Sequence, residues 1–413
     1  MQWVNREALQ TLLAYVASSP HADFYRAKYK QSGVVPTVEA FSFLPLLSRR
    51  ELTDTPVAAR TFVPPSEVRF VAFTSGTSSK VPLITPFSDV ENYFFEPSLG
   101  LAVARPLIIY PPLNKNFGAS FIQQCRQAMR PVSPMFADFQ NLGGSALIAK
   151  EMQCDSLYAT PTIAALFASH ATALGIADTF KLLALSSETL TEARRQELRR
   201  AYPNAKIANL YASSEIGQFV MAPCAAMIER GVSEFHVIDQ ALAAVELIDG
   251  ELVVSYGLNR AMPLVRYRTG DFFEEGTACA CGKPGPVLQW SHRDSDRMRI
   301  NGIEFTVDEA DRVMGELPHM PAPQYQIHFS DGEKGGVAMR VEIADAALAA
   351  RRVEAEALAQ SIARDLPGRW HISPTATLAT ALERGLLSAV SVAIVPAVSD
   401  TTVKSKRFVN HVR

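Results

Sequence analysis

Residues 205–215 read Ala205-Lys206-Ile207-Ala208-Asn209-Leu210-Tyr211-Ala212-Ser213-Ser214-Glu215: an apolar run that stops in a polar cluster. The same design occurs twice upstream. Asp155-Ser156-Leu157-Tyr158-Ala159 reaches Thr160-Pro161 and then a helical pattern over 162–173. Phe180-Lys181-Leu182-Leu183-Ala184-Leu185 reaches Ser186-Ser187-Glu188, with another helical pattern over 191–201. Strands alternating with helices, with polar residues at strand C-terminal ends, predict an α/β sheet that takes its ligands at those ends.

Upstream, residues 5–30 carry helical periodicity at Leu9, Leu12, Leu13 and Val16, then Phe24 and Tyr25. Residues 36–47 read as a loop with buried apolar points, and Ser48 and Glu51 are spaced as a capping box. Phe70-Val71-Ala72-Phe73 is a strand candidate that runs into Thr74-Ser75-Gly76-Thr77-Ser78-Ser79-Lys80, and Val81-Pro82-Leu83-Ile84 follows. That loop combines hydroxyls, a glycine and a lysine without an acidic group, so its N–H groups, hydroxyls and ammonium suit the phosphates of a nucleotide. It lacks the G-x-x-x-x-G-K-[ST] spacing of a Walker A loop, and by itself it fits a surface hairpin equally well. Helices are expected over 89–104 and 121–129, with a buried strand over 107–110 ending at Pro111-Pro112. Gly118, after Phe117 and at the head of the second helix, either admits a flat ligand closely or is a plain loop-to-helix junction.

From about 216 the pattern turns β-rich, over 234–238, 243–248 and 251–254, with Asp249-Gly250 as a hairpin turn. Leu264-Val265-Arg266-Tyr267-Arg268-Thr269-Gly270-Asp271 closes that region. Beyond about 297 come a strand, a helix over 307–316, a hairpin over 325–343, a helix over 346–366 and a strand over 390–396. The fold class is therefore α/β. A large N-terminal domain of mixed sheets with helices, residues 1–294, includes a β-rich subdomain over about 216–294. A small, mobile α+β C-terminal domain follows over 295–413.

A chain of 413 residues, 48% hydrophobic and 20% charged, has the composition of a soluble globular protein with room for a large core. A net charge of −2 favours neither nucleic acid nor an anionic membrane as partner, and Arg194-Arg195 and Arg199-Arg200 read as solvated helix faces. No apolar run reaches the length of a membrane span, and the first residues lack the basic start and apolar core of a signal peptide, so a cytoplasmic location is expected. Five cysteines, an odd number and widely spread, argue against a disulfide framework.

Taken in order, the motifs resemble those of the AMP-forming, adenylate-forming superfamily of acyl- and aryl-CoA ligases, most of all the phenylacetate–CoA ligase branch. The resemblance covers almost the whole chain. It implies that Thr74, Ser75, Gly76, Thr77, Ser78 and Lys80 form the phosphate loop, with Ser79 where glycine is usual. It implies that Ser187 and Glu188 belong to the adenine-contact loop, that Asn209 binds the adenine amine and that Tyr211 stacks on the ring. Ser214 would meet the α-phosphate and Glu215 would hold Mg²⁺, a cation that takes carboxylate and phosphate oxygens. Tyr267-Arg268-Thr269-Gly270-Asp271 is the most specific match, and Asp271 would accept both ribose hydroxyls. His292-Arg293-Asp294-Ser295-Asp296 matches the hinge, where Arg293 would contact ribose or phosphate and Ser295 replaces the usual first acid. Asn301-Gly302 matches the turn that lines the pantetheine tunnel of CoA-using relatives. Val403-Lys404-Ser405-Lys406-Arg407 matches Gly-Lys-x-x-Arg, so Lys404 would bridge carboxylate and α-phosphate, with Lys406 as the competing candidate.

Cys224, His236, Cys279 and Cys281 offer three sulfurs and an imidazole around the β-rich region, the ligand set of a closed structural Zn²⁺ site. Some phenylacetate–CoA ligases resemble the chain in this too. The alternative is reduced cysteines packed as small hydrophobes.

The resemblance implies that a small carboxylic acid attacks the α-phosphate of Mg·ATP, releasing pyrophosphate and forming an acyl-adenylate that passes to CoA. The acid would sit near Tyr110, Phe117, Gly118 and Pro161, and the aromatic Phe117 beside small residues favours an aromatic acid. The rival readings are adenylation without CoA, with the acyl group passed to a carrier protein, amine or reductase, and a nucleotide- or acyl-binding relative without activity. A homodimer is compatible with the sequence.

Overall fold

A computed structural model describes residues 1–21, 23–73, 83–88, 103–110, 133–136, 141–213, 215–216, 219–237, 242–283, 285–317, 324–332, 336–398 and 407–412. Its contacts divide the chain into two compact units. The first comprises Met1–Thr160, His170–Ser187 and Pro203–Arg293, and the second Pro161–Ser169, Glu188–Tyr202 and Asp294–Arg413.

Among the described residues of the first unit, twelve strands form one mixed sheet. One half is parallel: Ser133–Phe136, Pro106–Tyr110, Ser156–Ala159, Leu182–Ser186 and Lys206–Ala212 lie side by side in that order. Parallel neighbours need a crossover between strands, and the helices that follow 159 and 186 supply it. All residues of Ser156–Ala159 and Leu182–Ser186 are buried, as expected for strands covered on both faces. The sequence alternation at 155–161, 180–188 and 205–215 thus marks adjacent strands of one sheet.

The other half is antiparallel. Beyond Lys206–Ala212 come Phe219–Ala222, Glu234–Val237, Val287–Arg293, Leu264–Glu275, Glu251–Tyr256, Ala244–Ile248 and Gln2–Val4. Ile248 faces Glu251 across a two-residue turn, and Asp249 and Gly250 have φ of 52° and 82°. That left-handed pair is the twist-matched hairpin turn that the Asp-Gly sequence favours. The helix Arg6–Ser18 buries Leu9, Leu12, Leu13 and Val16 in the same apolar core as Val254, Tyr256 and Leu264. Its N-terminus is capped by Asn5, whose side chain accepts from the Ala8 N–H. The periodicity over 5–30 resolves into two helices, Arg6–Ser18 and Asp23–Ser32, broken around Pro20.

The second unit has its own core. Its sheet runs Leu387–Val395, Val337–Ala344, Gln324–Asp331, Phe408–Asn410, with a central antiparallel hairpin and parallel outer pairings. Ile327, Phe329, Met339 and Val341 of this sheet pack with Val313 and Met314 of the helix Val307–Gly315, with Ile362 and Leu366 of the helix Arg352–Arg369, and with Trp370. The helix expected over 346–366 is two: Ala346–Ala349 and Arg352–Arg369. The helix Glu192–Ala201 also packs on Val307–Gly315. This is why a stretch far upstream of the hinge motif groups with the C-terminal residues.

Candidate functional site

Asp271 is a candidate site residue of the first unit whose carboxylate is buried and whose partners are described. The strand Leu264–Glu275 loses register between its pairings Arg268 with Val253 and Phe272 with Glu251, so residues 269–271 bulge. Gly270, at φ of 73°, makes that bulge; its N–H donates to Glu251 (3.0 Å). The Thr269 hydroxyl donates to the Leu252 carbonyl (2.8 Å) and accepts from the Asp271 N–H (3.2 Å). The bulge aims the Asp271 carboxylate inward, where the residue is 1% exposed.

Two donors meet it there. The Tyr211 hydroxyl donates to Oδ2 at 2.7 Å. Arg293, directly opposite Asp271 across the antiparallel pair, donates from Nε to Oδ1 at 2.5 Å and from Nη2 to Oδ2 at 3.0 Å. Burial pushes the Tyr211 hydroxyl well above its ordinary pKa and the Asp271 charge pushes it further, so tyrosine is the donor. A carboxylate has about four acceptor positions and three are used, so Asp271 keeps capacity for a hydroxyl, and more when Arg293 turns away. The Tyr211 ring is buried, edge-on to Phe273 with centroids 5.3 Å apart. Asn209, two residues earlier on the same strand, is half-buried.

Glu215 lies in a second cluster of the same unit, and it has a partner that sequence reading missed. Arg49 donates from Nη1 to Glu215 Oε1 at 2.5 Å. Arg49 is the first residue of the helix Arg49–Asp54, whose capping box is made by Ser48 and Glu51. Just before it, the Leu47 N–H donates to the Arg266 carbonyl and the Leu47 carbonyl accepts from the Arg268 N–H, both at 2.9 Å. The capping box was visible in the sequence; that this clamp carries Arg49 to Glu215 was not. Tyr267 is buried beside Glu215, and burial, then the charges of Glu215 and Asp271, raise its hydroxyl pKa well above the ordinary value. Ser187, at the end of a parallel strand, has φ of 75°, a left-handed conformation that costs a non-glycine residue about 1 kcal/mol and occurs most at functional loops.

In the second unit, Glu188 Oε2 accepts from the Thr162 N–H at 3.0 Å, at the start of the helix beginning at Pro161. Its other oxygen, Oε1, is buried without a hydrogen-bond partner among the described residues. Asn301 and Gly302 form the two-residue turn between Arg297–Ile300 and Ile303–Thr306, with φ of 48° and 78°.

Cys224, His236, Cys279 and Cys281 come together in the first unit, with their ligand atoms all within 4.8 Å of one another. The Sγ atoms of Cys224 and Cys279 are 3.4 Å apart, and Cys281 Sγ is 3.2 Å from His236 Nε2. All three cysteines are free. A tetrahedral Zn²⁺ with Zn–S bonds of about 2.3 Å needs sulfurs roughly 3.8 Å apart, so a small contraction or expansion of this cluster accommodates the ion. The Cys279-to-Cys281 turn is completed by Gly282 at φ of 75°.

The residues expected to form a phosphate loop, Thr74, Ser75, Gly76, Thr77, Ser78, Ser79 and Lys80, lie outside the described residues, as do Phe117, Gly118, Ser214, Val403, Lys404 and Lys406. The residues of the helix expected over 121–129, and all but 103 and 104 of the helix expected over 89–104, also lie outside. The strands on either side of residues 74–82, Phe70–Phe73 and Ile84–Phe87, pair antiparallel with Phe73 opposite Ile84. Tyr110 ends the strand Pro106–Tyr110.

No protein-family model and no curated protein matches the chain. Solved structures do. A 2-hydroxyisobutyryl-CoA ligase in the postadenylation state, in complex with 2-HIB-AMP, superposes with a TM-score of 0.72 at 17% identity, over 98% of this chain and 88% of that one. The same ligase with R3-HIB-AMP gives 0.71 over the same shares. A structure from a study of fatty acyl-adenylate ligases from E. coli and L. pneumophila gives 0.51 at 10% identity, over 82% of this chain and 68% of that one. The chain has the fold of an adenylate-forming ligase. Its α/β architecture is that of these enzymes, and no described helix is long and apolar enough to cross a membrane.

Proposed function

We propose that this chain is an ATP-dependent ligase that activates a carboxylic acid, of the aromatic class, as its acyl-adenylate with release of pyrophosphate, and then transfers the acyl group to CoA. The observation that carries the proposal is Asp271: a buried carboxylate on a glycine bulge, flanked by Tyr211 and Arg293, within the fold of a CoA ligase. Such an acceptor suits vicinal ribose hydroxyls, which a charged oxygen pair holds more strongly than a neutral one. Asn209 would receive the adenine amine, and Tyr211 would wall the ring and orient Asp271. Ser187 and Glu188 would belong to the adenine-contact loop.

Glu215 would hold Mg²⁺, and that ion, when bound, neutralises phosphate charge. Glu215 fits this role chemically as a carboxylate, and Arg49 keeps it compensated when no cation is present. Thr74, Ser75, Gly76, Thr77, Ser78 and Lys80 would hold the pyrophosphate end, and Ser214 the α-phosphate. Lys404 would bridge the attacking carboxylate and the α-phosphate. The enzyme's contribution is then placement and charge stabilisation. Tyr110, Phe117, Gly118 and Pro161 would surround the acid. The branch that this pattern fits is that of the phenylacetate–CoA ligases, with residues 295–413 as the smaller, moving domain. Cys224, His236, Cys279 and Cys281 would hold a structural Zn²⁺ that closes the turn at 279–282.

Pyrophosphate release is to be measured with aromatic and aliphatic acids, with and without CoA. Acid-dependent release that is lost in Lys404→Ala supports the proposal; release with aliphatic acids alone removes the aromatic class. Release without any thioester product moves the second step to a carrier protein or another acceptor. Metal analysis should find one zinc per chain, lost in Cys279→Ser/Cys281→Ser together with thermal stability; metal-free protein of unchanged stability removes the zinc site.

A further inference from the structure

Three parallel strands of the first unit begin side by side. Pro106 of Pro106–Tyr110 lies opposite Ser156 of Ser156–Ala159, and Ser156 lies opposite Leu182 of Leu182–Ser186. The residues just before them, Arg105, Asp155 and Lys181, therefore form a row. Backbone bonds continue across it: the Asp155 N–H donates to the Arg105 carbonyl at 3.1 Å, and the Lys181 N–H to the Asp155 carbonyl at 2.7 Å. This row and Lys150, on the helix Leu142–Glu151, border a cavity of about 350 Å³ whose lining includes the buried Cys154 and Ile176. The polar clusters that begin at Thr160 and Ser186 lie at the other ends of the same strands. A four-residue strand, about 13 Å long, separates the two ends.

Charge in the cavity is unbalanced. Three cations and one carboxylate leave a net charge of +2. The carboxylate is engaged with backbone: Asp155 Oδ1 accepts from the Arg105 N–H and Oδ2 from the Ala104 N–H, both at 2.9 Å. Lys181 Nζ is 4.0 Å from Oδ2, beyond a hydrogen bond. Arg105 turns to neutral acceptors, donating from Nη1 to the Gln153 side-chain oxygen at 2.6 Å and to the Met152 carbonyl at 3.3 Å. Those bonds hold the guanidinium without neutralising it, and its other N–H donors stay available. Lys150 makes no ion pair among the described residues.

We propose that this cavity binds a phosphate dianion, free or carried by a small ester, at a site separate from the strand ends where ATP is proposed to bind. A dianion matches the excess of two positive charges, whereas a monocarboxylate would leave one uncompensated. The guanidinium offers a planar fork to phosphate oxygens, and the two ammonium groups add mobile point charges. Cys154 and Ile176 give the body of an ester an apolar surface. The volume is near the lower end of ligand pockets, about 300–1,000 Å³, which limits that body to mononucleotide size.

The test is calorimetric titration of the full-length chain with AMP, phenyl phosphate and inorganic phosphate. Two variants are compared, Asp271→Asn and Asp271→Asn/Lys150→Ala/Lys181→Ala. Asp271→Asn weakens AMP at the proposed ribose acceptor and leaves the cavity intact. Both lysines are exposed, so removing them should leave the melting temperature unchanged. At least one probe should bind Asp271→Asn, more weakly as salt is raised. Loss of the two lysines should weaken that binding at least tenfold. Esters that bind tighter than inorganic phosphate make an ester the occupant, and equal affinities make it free phosphate; both uphold the site. No binding of any probe to Asp271→Asn at millimolar concentration overturns the proposal, and so does binding that is unchanged by loss of both lysines. None of these outcomes bears on acid-dependent pyrophosphate release, which tests the catalytic reading by itself.

Discussion

Two buried aspartates have nearly the same company and opposite characters. Asp271 has Tyr211 at 2.7 Å and Arg293; Asp311 has Tyr325 at 2.6 Å and Arg407. The difference lies in the arginines and in the fourth partner. Arg293 makes two short bonds to Asp271, at 2.5 and 3.0 Å, yet its side chain is 30% exposed. Arg407 sits 3.7 Å from Asp311, is stacked on Tyr325 and is 10% exposed, and Thr191 takes the remaining Asp311 oxygen. A solvent-reachable arginine can turn away and leave acceptor capacity for a ligand. An arginine stacked on a buried tyrosine is held in place. The same three residue types thus make a carboxylate beside a half-exposed arginine in one unit and one beside a buried, stacked arginine in the other.

The comparison breaks most clearly at the carboxylates. Asp311→Ala should destabilise the protein by about 3 kcal/mol, because the buried Tyr325 and Thr191 hydroxyls lose their acceptor and Arg407 loses one of its nearby carboxylates, and a thermal melt checks it. Asp271→Asn should instead act on function. Losing charge-assisted bonds to a nucleotide is worth about 3 kcal/mol, roughly 100-fold in ATP-dependent turnover, with a much smaller change in melting temperature. Comparable melting losses for both variants would erase the distinction.

The tyrosines sharpen it. Tyr211→Phe removes one hydrogen bond from Asp271 and should raise the half-saturating ATP concentration by about fivefold, near 1 kcal/mol. Tyr325→Phe should lower the melting temperature and leave ATP half-saturation unchanged. The smallest effect expected is on acid stability. Burial would raise the Asp311 pKa, but Arg407, Arg194, Tyr325 and Thr191 outweigh it and hold the carboxyl below its ordinary range. A depressed carboxyl stabilises the fold above its unfolded pKa, about 3.9, and loses that contribution as pH falls further. The melting difference between wild type and Asp311→Asn should therefore shrink below about pH 4.

Much of this was legible in the linear chain. Asp249-Gly250 states its own turn, because few other pairs adopt two left-handed residues in succession. Ser48 and Glu51 announce a capped helix, since both partners are local. The apolar runs ending in polar clusters at 160, 186 and 212 mark three strands of the α/β sheet, as period and burial are properties of contiguous residues; their order along the sheet came from the pairing. That Gly270 opens a bulge came from the pairing of its strand and not from the sequence.

What depended on long-range register was not legible. Arg293 opposes Asp271 only because Val287–Arg293 pairs with Leu264–Glu275 in that alignment. Arg49 reaches Glu215 across 166 positions through the Leu47 clamp. Thr191 and Asp311 are 120 positions apart, and neither belongs to a motif. The four metal-type side chains could be counted in the sequence, while their approach to within 4.8 Å required the sheet. The sequence by itself determined the α/β class, the local turns and caps, and the polar cluster at 212–215, because these rest on nearest-neighbour sterics and periodic burial. Tertiary structure alone decided which arginine meets which carboxylate, because charge pairing is set by distance in space and by burial, and neither is encoded at a fixed spacing along the chain.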